Sequence, residues 1–165
     1  TPASPHPNSV GRMTPPATCA STVSCAPQID RPGTFTGSIN ISPSFSPTKD
    51  EVYFTSYMRG DPQLFKVNIN TLEIVQIANF PGIVAAPAVS PDGDKIACVL
   101  SKDGNSEIYV LDTKGRVIKR LTRHSAIDTA PSWSPDGRLI AFSSDRTGSP
   151  QIYLMDSDGL NGALT

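Results

Sequence analysis

Leu139-Ile140-Ala141-Phe142 is an unbroken apolar run bounded on both sides by turn residues. It is too short for a helix, and such a run predicts a strand buried on both faces. Just upstream, Ser132-Trp133-Ser134 alternates small polar with large apolar residues, as a half-buried strand does. Ser134-Pro135-Asp136-Gly137 links the two with turn chemistry: proline presets φ, aspartate suits the next position, and glycine accepts positive φ at the exit. A polar connection, Asp145-Arg146-Thr147-Gly148-Ser149-Pro150, leads into a third strand over residues 151–155. Asp156-Ser157-Asp158-Gly159 reads as another turn, and Ala163-Leu164-Thr165 as the closing strand.

The same pattern occurs three times. Moved back by 44 residues, residues 130–153 fall on 86–109, and moved again they fall on 42–65, with no insertion or deletion. Pro43, Pro87 and Pro131 correspond, as do Gln63, Glu107 and Gln151, and Phe65, Tyr109 and Tyr153. A fixed period of this length marks a repeat architecture in which no unit buries its apolar faces alone. Four short antiparallel strands per unit is the size of a β-propeller blade. No segment sustains a 3.6-residue apolar period, which argues against helical repeats. An isolated sandwich would show one polar sheet face, unlike these strands.

The expected fold is therefore all-β, a β-propeller fragment of about three four-stranded antiparallel blades, with repeats at 42–85, 86–129 and 130–165. Residues 33–41 align with 121–129 and read as the tail of an earlier blade. The first copy has Thr48-Lys49 where the others have Asp-Gly, so its first hairpin is expected to turn differently. Trp133 and its equivalents Phe45 and Val89 are expected to be largely buried against a neighbouring blade. A partial ring is expected to leave two terminal apolar faces without a neighbour.

Composition changes the picture only at the start of the chain. Residues 1–33 are crowded with Pro, Ser, Thr and Ala, and read as a disordered leader or sequence foreign to the domain. Cys19 and Cys25 could close a small disulfide loop in an oxidising compartment, but no wider cysteine framework supports it. Residues 34–165 form the folded domain. The formal net charge of −1 provides no basic stripe for nucleic acid. The longest apolar run, broken at Pro87, is far too short to span a bilayer.

Candidate chemistry is sparse. The histidines are His6, in the leader, and His124, in an inter-blade loop; no G-x-S-x-G elbow is present. Cysteine and histidine do not cluster at zinc-ligand spacing. Cys98 occupies the position of Phe54 and Phe142, which predicts a buried, inert thiol. Asp156-Ser157-Asp158-Gly159 lacks the later acidic ligands of a calcium loop. Asp61, Asp103 and Asp145 each have a nearby cation in Arg59, Lys102 or Arg146, which reads as a solvated rim. The sequence thus predicts no catalytic residue, no metal site and no cofactor.

The P-[SA]-[FVW]-S-P core, followed in two copies by Asp-Gly, resembles the WD-like repeats of the TolB family. The marks occur together in Ala86-Pro87 with Ser90-Pro91-Asp92-Gly93 and residues 108–112. They recur in Ala130-Pro131 with Ser134-Pro135-Asp136-Gly137 and residues 152–156. The resemblance covers about residues 34–165. It implies a non-enzymatic periplasmic protein-binding module of the Tol–Pal system, serving outer-membrane integrity and cell division. The partners implied are an outer-membrane peptidoglycan-associated lipoprotein and other Tol proteins, with no nucleic acid and no membrane span. The chain departs from the family pattern in lacking a βαβ domain and in showing three copies rather than six. Similar repeats also resemble the gating propellers of prolyl-oligopeptidase-like serine peptidases, whose catalytic domain would be absent here.

In TolB-like proteins one mouth of the propeller receives the lipoprotein. The equivalent loops here are residues 38–42, 82–86 and 126–130. Ile83, Val84, Ala85 and Ala86 are unusually apolar for a surface loop and, with Asp128 and Thr129, are the candidate partner-binding residues. Ile39, Ile83 and Ile127 share one register and read slightly better as plugs between blades, whereas Val84 and Ala85 read better as contact.

Overall fold

The computed structural model describes residues 37–159, which lie within the compact unit Pro32–Thr165. Eleven antiparallel strands form three sheets among them. The first blade comprises β1 (Asn40–Phe45), β2 (Glu51–Ser56), β3 (Gln63–Asn68) and β4 (Ile74–Ala78), paired in that order. The second comprises β5 (Val84–Val89), β6 (Lys95–Leu100), β7 (Glu107–Asp112) and β8 (Val117–Arg120), again in chain order. The third has β9 (Asp128–Trp133), β10 (Leu139–Ser144) and β11 (Gln151–Asp156). The expected closing strand at 163–165, the leader and the Cys19/Cys25 pair lie outside the described residues. No helix among the described residues is long and apolar enough to cross a membrane.

The turn chemistry acts as the sequence implies. Ser134 Oγ donates to Asp136 Oδ1 (2.6 Å) and accepts from Leu139 N (2.9 Å), while Gly137 N closes the turn on Ser134 O (2.9 Å). Ser90, Asp92, Gly93 and Lys95 repeat the arrangement. The Ser90 and Ser134 hydroxyls, donating to the aspartates, hold both carboxyls below the usual range. In the first copy Ser46 Oγ instead accepts from Thr48 N and Lys49 N (3.4 and 3.2 Å). That hairpin does turn differently.

Blade two shows why the central strands are apolar on both faces. Ile96, Cys98 and Leu100 of β6 pack with Tyr53, Leu64 and Ala78 of blade one. Ala97 and Val99, on the other face, pack with Ile140, Phe142, Tyr153 and Met155 of blade three. Strand alternation sends neighbouring residues to opposite sheets, so both faces of β6 from Ile96 to Leu100 take apolar side chains. Polar bonds fix the register between blades. Val84 N donates to Pro62 O (2.9 Å), and one repeat later Asp128 N donates to Ser106 O (3.0 Å).

The innermost strands share a feature that the sequence reading missed. Ser42, Ala86 and Ala130 all have left-handed backbones, with φ of 55°, 50° and 51°. Each precedes a proline, and the strand pairing shifts register beside each. Proline has no N–H for the ladder and pushes its predecessor out of the right-handed helical region, so a bulge belongs there. A left-handed non-glycine residue costs about 1–2 kcal/mol, which each blade must offset by packing.

Two expectations require correction. Trp133 is only half-buried, Val89 likewise, and Phe45 is 71% exposed. The position faces the preceding blade near its edge: Trp133 Nε1 donates to Ala88 O (2.9 Å), whereas no described blade precedes Phe45. Nor are both terminal faces open. On the outer face of blade one Phe54 and Phe65 are buried and stack 6.1 Å apart, with Val67, Val52, Met58 and Ile74 around them. Blade three does expose Ile152 and Leu154, at 73% and 42%.

Half-burial lowers the expected cost of losing the indole. Trp133→Ala is expected to destabilise by about 2–3 kcal/mol, below the range for a fully buried aromatic. Trp133→Phe, which keeps most of the packing and loses the hydrogen bond, is expected to cost about 1 kcal/mol. Urea unfolding of both variants checks the pair; equal losses would mean that the hydrogen bond dominates.

Candidate functional site

The connections that enter the innermost strands are tied to the connections between second and third strands, which places both sets at one mouth. Tyr57 N donates to Ile39 O (3.0 Å) and Ser101 N to Ile83 O (3.1 Å). Ile83 N donates to Ser101 Oγ (2.8 Å), and Ile127 N to Asp145 Oδ1 (2.8 Å). These bonds fix the backbone and turn the isoleucine side chains outward. Ile39, Ile83 and Ile127 are 62%, 42% and 53% exposed. The reading of them as plugs between blades is therefore corrected: each stands one residue before a strand begins, outside the packed layers.

The candidate contact residues divide. Ile83 is exposed, and Ala85, Ala86 and Thr129 are half-buried on the adjacent strands β5 and β9. Ala86 N donates to Thr55 Oγ1 of blade one (3.2 Å). Val84 and Asp128, in contrast, are fully buried. Val84 belongs to the core between blades one and two, where strand alternation points it inward. Asp128 occupies the equivalent site one repeat later. Its carboxylate accepts from Arg146 Nη2 at 3.2 and 3.1 Å.

That pair also corrects the reading of Arg146 as a rim cation neutralised by Asp145. Its guanidinium lies over the rings of Tyr153 (4.6 Å) and Phe142 (5.2 Å), and its Nε donates to Ser144 Oγ (2.9 Å). Arginine suits this place because its flat, weakly hydrated cation stacks on aromatic faces. Lys102, the equivalent in blade two, does behave as expected and pairs with Asp103 (3.0 Å).

A polar clamp holds the connections into blades two and three. Gln63 Nε2 donates to Phe80 O and Gly82 O (3.0 and 3.2 Å), and Phe80 N donates back to Gln63 Oε1 (3.1 Å). In blade two Glu107 Oε1 accepts from His124 N and Arg120 Nη2, both at 3.0 Å. Glu107 is buried, and its other oxygen has no hydrogen-bond partner. Arg120 reaches on to Asp103 (3.2 Å), which also accepts from the Tyr109 hydroxyl. Burial, then the bond to Asp103, pushes the Tyr109 phenol up to about 12. The 44-residue recurrence of Gln or Glu at the head of an otherwise apolar strand was the available signal for this clamp.

Burial pushes the Cys98 thiol up to about 12, which removes it as a nucleophile at neutral pH. His124 Nδ1 accepts from Ala126 N (3.0 Å), as a loop cap does. Among the described residues no His, Cys, Asp or Glu side chains group in threes as a metal site would require.

Stacked antiparallel blades of one repeat, two of them four-stranded and the third with three described strands, and connections gathered at a mouth define this chain as part of a β-propeller. The family model described as the TolB beta propeller domain matches residues 34–163, most of the sequence. The chain belongs to that family. Among solved structures, TolB from Acinetobacter baumannii is 30% identical with a TM-score of 0.66, over 75% of this chain and 32% of that one. A putative TolB from Agrobacterium tumefaciens is 22% identical with a TM-score of 0.70, over 77% and 49%. Porphyromonas gingivalis dipeptidyl peptidase 4, at 20% identity and a TM-score of 0.58 over 76% and 20%, shares the fold. The chain thus spans from a third to a half of the two TolB structures. No curated protein matches the sequence.

Proposed function

We propose that this chain is a periplasmic protein-binding module that takes an outer-membrane peptidoglycan-associated lipoprotein at its loop-bearing mouth, within a Tol–Pal assembly serving envelope integrity. The observation that carries the reading is the set of exposed isoleucines, Ile39, Ile83 and Ile127, repeated at one height on three rigid blades. An apolar patch held by buried clamps and rimmed by charged loops has the anatomy of a protein interface. Ala85, Ala86 and Thr129 lie beside it, while Val84 and Asp128 support it from the core. The peptidase likeness extends to the fold and adds no residue to this mouth.

Ile83→Asp and Ile127→Asp test the reading. Each is expected to weaken lipoprotein binding at least tenfold, about 1.4 kcal/mol. The melting temperature is expected to stay put, because the side chains leave no cavity. Calorimetric titration with the purified lipoprotein measures it. Wild-type affinity in both variants would place the contact elsewhere.

A further inference from the structure

At the outer edge of the same end, blade one carries a pocket of about 330 Å³ lined by Arg59, Asp61, Gln63, Asn79, Phe80 and Pro81. Its volume is at the small end of the range for ligand sites. The charged pair is its main feature. Arg59 and Asp61 form no ion pair or side-chain hydrogen bond with any described residue, nor with each other.

The second blade shows that this is no general property of the repeat. There the equivalent side chains have partners of their own. Asn105, in the place of Asp61, donates through Nδ2 to His124 O (2.9 Å) and Ala126 O (2.5 Å). Asp103, in the place of Arg59, is occupied by Tyr109, Lys102 and Arg120. A carboxylate has no proton to give a carbonyl, so Asp61 cannot do the work of Asn105. Gln63 holds the loop carbonyls instead, and Arg59 and Asp61 line the pocket.

We propose that this pocket binds a small zwitterion of the amino-acid or short-peptide class. Arg59 supplies the planar, two-pronged donor that suits a carboxylate. Asp61, two residues away on the same connection, accepts from an ammonium group. Phe80 and Pro81 form an apolar wall for the ligand's side chain, and Asn79 adds an amide at the rim. The pocket lies on the connection that leads to Ile83, but its argument rests on Arg59 and Asp61 and does not depend on the lipoprotein reading.

Glycyl-leucine is the probe. Titrated at millimolar concentration into the isotopically labelled chain, it is expected to give saturating amide shifts confined to residues 59–63 and 79–82. Amidating its carboxyl end or acetylating its amino end is expected to weaken binding about tenfold each, the scale of one charge-assisted hydrogen bond. Arg59→Gln should make the chain indifferent to the amide, and Asp61→Asn indifferent to the acetyl group. Both positions are exposed loop sites, so the variants keep the fold. The absence of a saturable response, shifts centred elsewhere, or equal binding of the blocked peptides overturns the proposal.

Discussion

Arg146→Ala is expected to destabilise the protein by about 3–5 kcal/mol, the usual cost of leaving a buried charge without its partner. Asp128 has no exposed surface, and Arg146 supplies both hydrogen bonds to its carboxylate. The alanine also uncovers the faces of Tyr153 and Phe142. The repeat itself contains the control. Blade two has Val84 in the place of Asp128 and Lys102 in the place of Arg146, and Lys102 still lies over the ring of Tyr109 at 5.3 Å. The double variant Asp128→Val with Arg146→Lys copies that solution and is expected to recover most of the loss, since it removes the buried carboxylate and keeps a cation over the ring of Tyr153. Chemical unfolding of the single and double variants measures the coupling. An Arg146→Ala loss below about 1 kcal/mol would mean that water already reaches Asp128.

Gly115→Ala is expected to be nearly as damaging, at about 3 kcal/mol or more, for a different reason. The turn between β7 and β8 presses against blade one, and an added Cβ would fall 1.9 Å from the carbonyl oxygen of Ile77. That atom is backbone within β4, so neither partner can swing away. Gly148 separates this clash from backbone strain, because its φ of +92° resembles the +81° of Gly115 while nothing lies within 4 Å. Gly148→Ala is expected to cost only about 1–2 kcal/mol, the price of a left-handed alanine. Thermal unfolding of the two variants decides between them; equal losses would mean that the blades yield at Ile77.

The fold was legible because the 44-residue period fixes alignment, and aligned apolar runs reveal which strands are covered on both faces. Ser-Pro-Asp-Gly then sets the hairpins through local chemistry. What escaped depends on contacts between repeats. Asp128 followed a loop and carried a charge, so it read as surface. Yet its equivalent in the second copy is a valine, which marks a buried position and calls for a charged partner elsewhere. The reading of Ile39, Ile83 and Ile127 as plugs between blades erred in the opposite sense, since an apolar residue beside a strand need not be covered. The clamp by Gln63 and Glu107 joins strand heads to carbonyls 17 to 19 residues away, or to a loop amide, and no short sequence window shows that pairing.

Blade two touches a neighbour on each side, whereas blade three leaves Ile152 and Leu154 uncovered. In such an array stability spreads between nearest neighbours, so β6 and β7, covered on both faces, are expected to open last among the described strands. Ile83 and Ile127 stand at the heads of β5 and β9, on successive blades. A ligand spanning them would act as a splint: binding at the mouth would slow the parting of blades two and three without touching the layer packed between them.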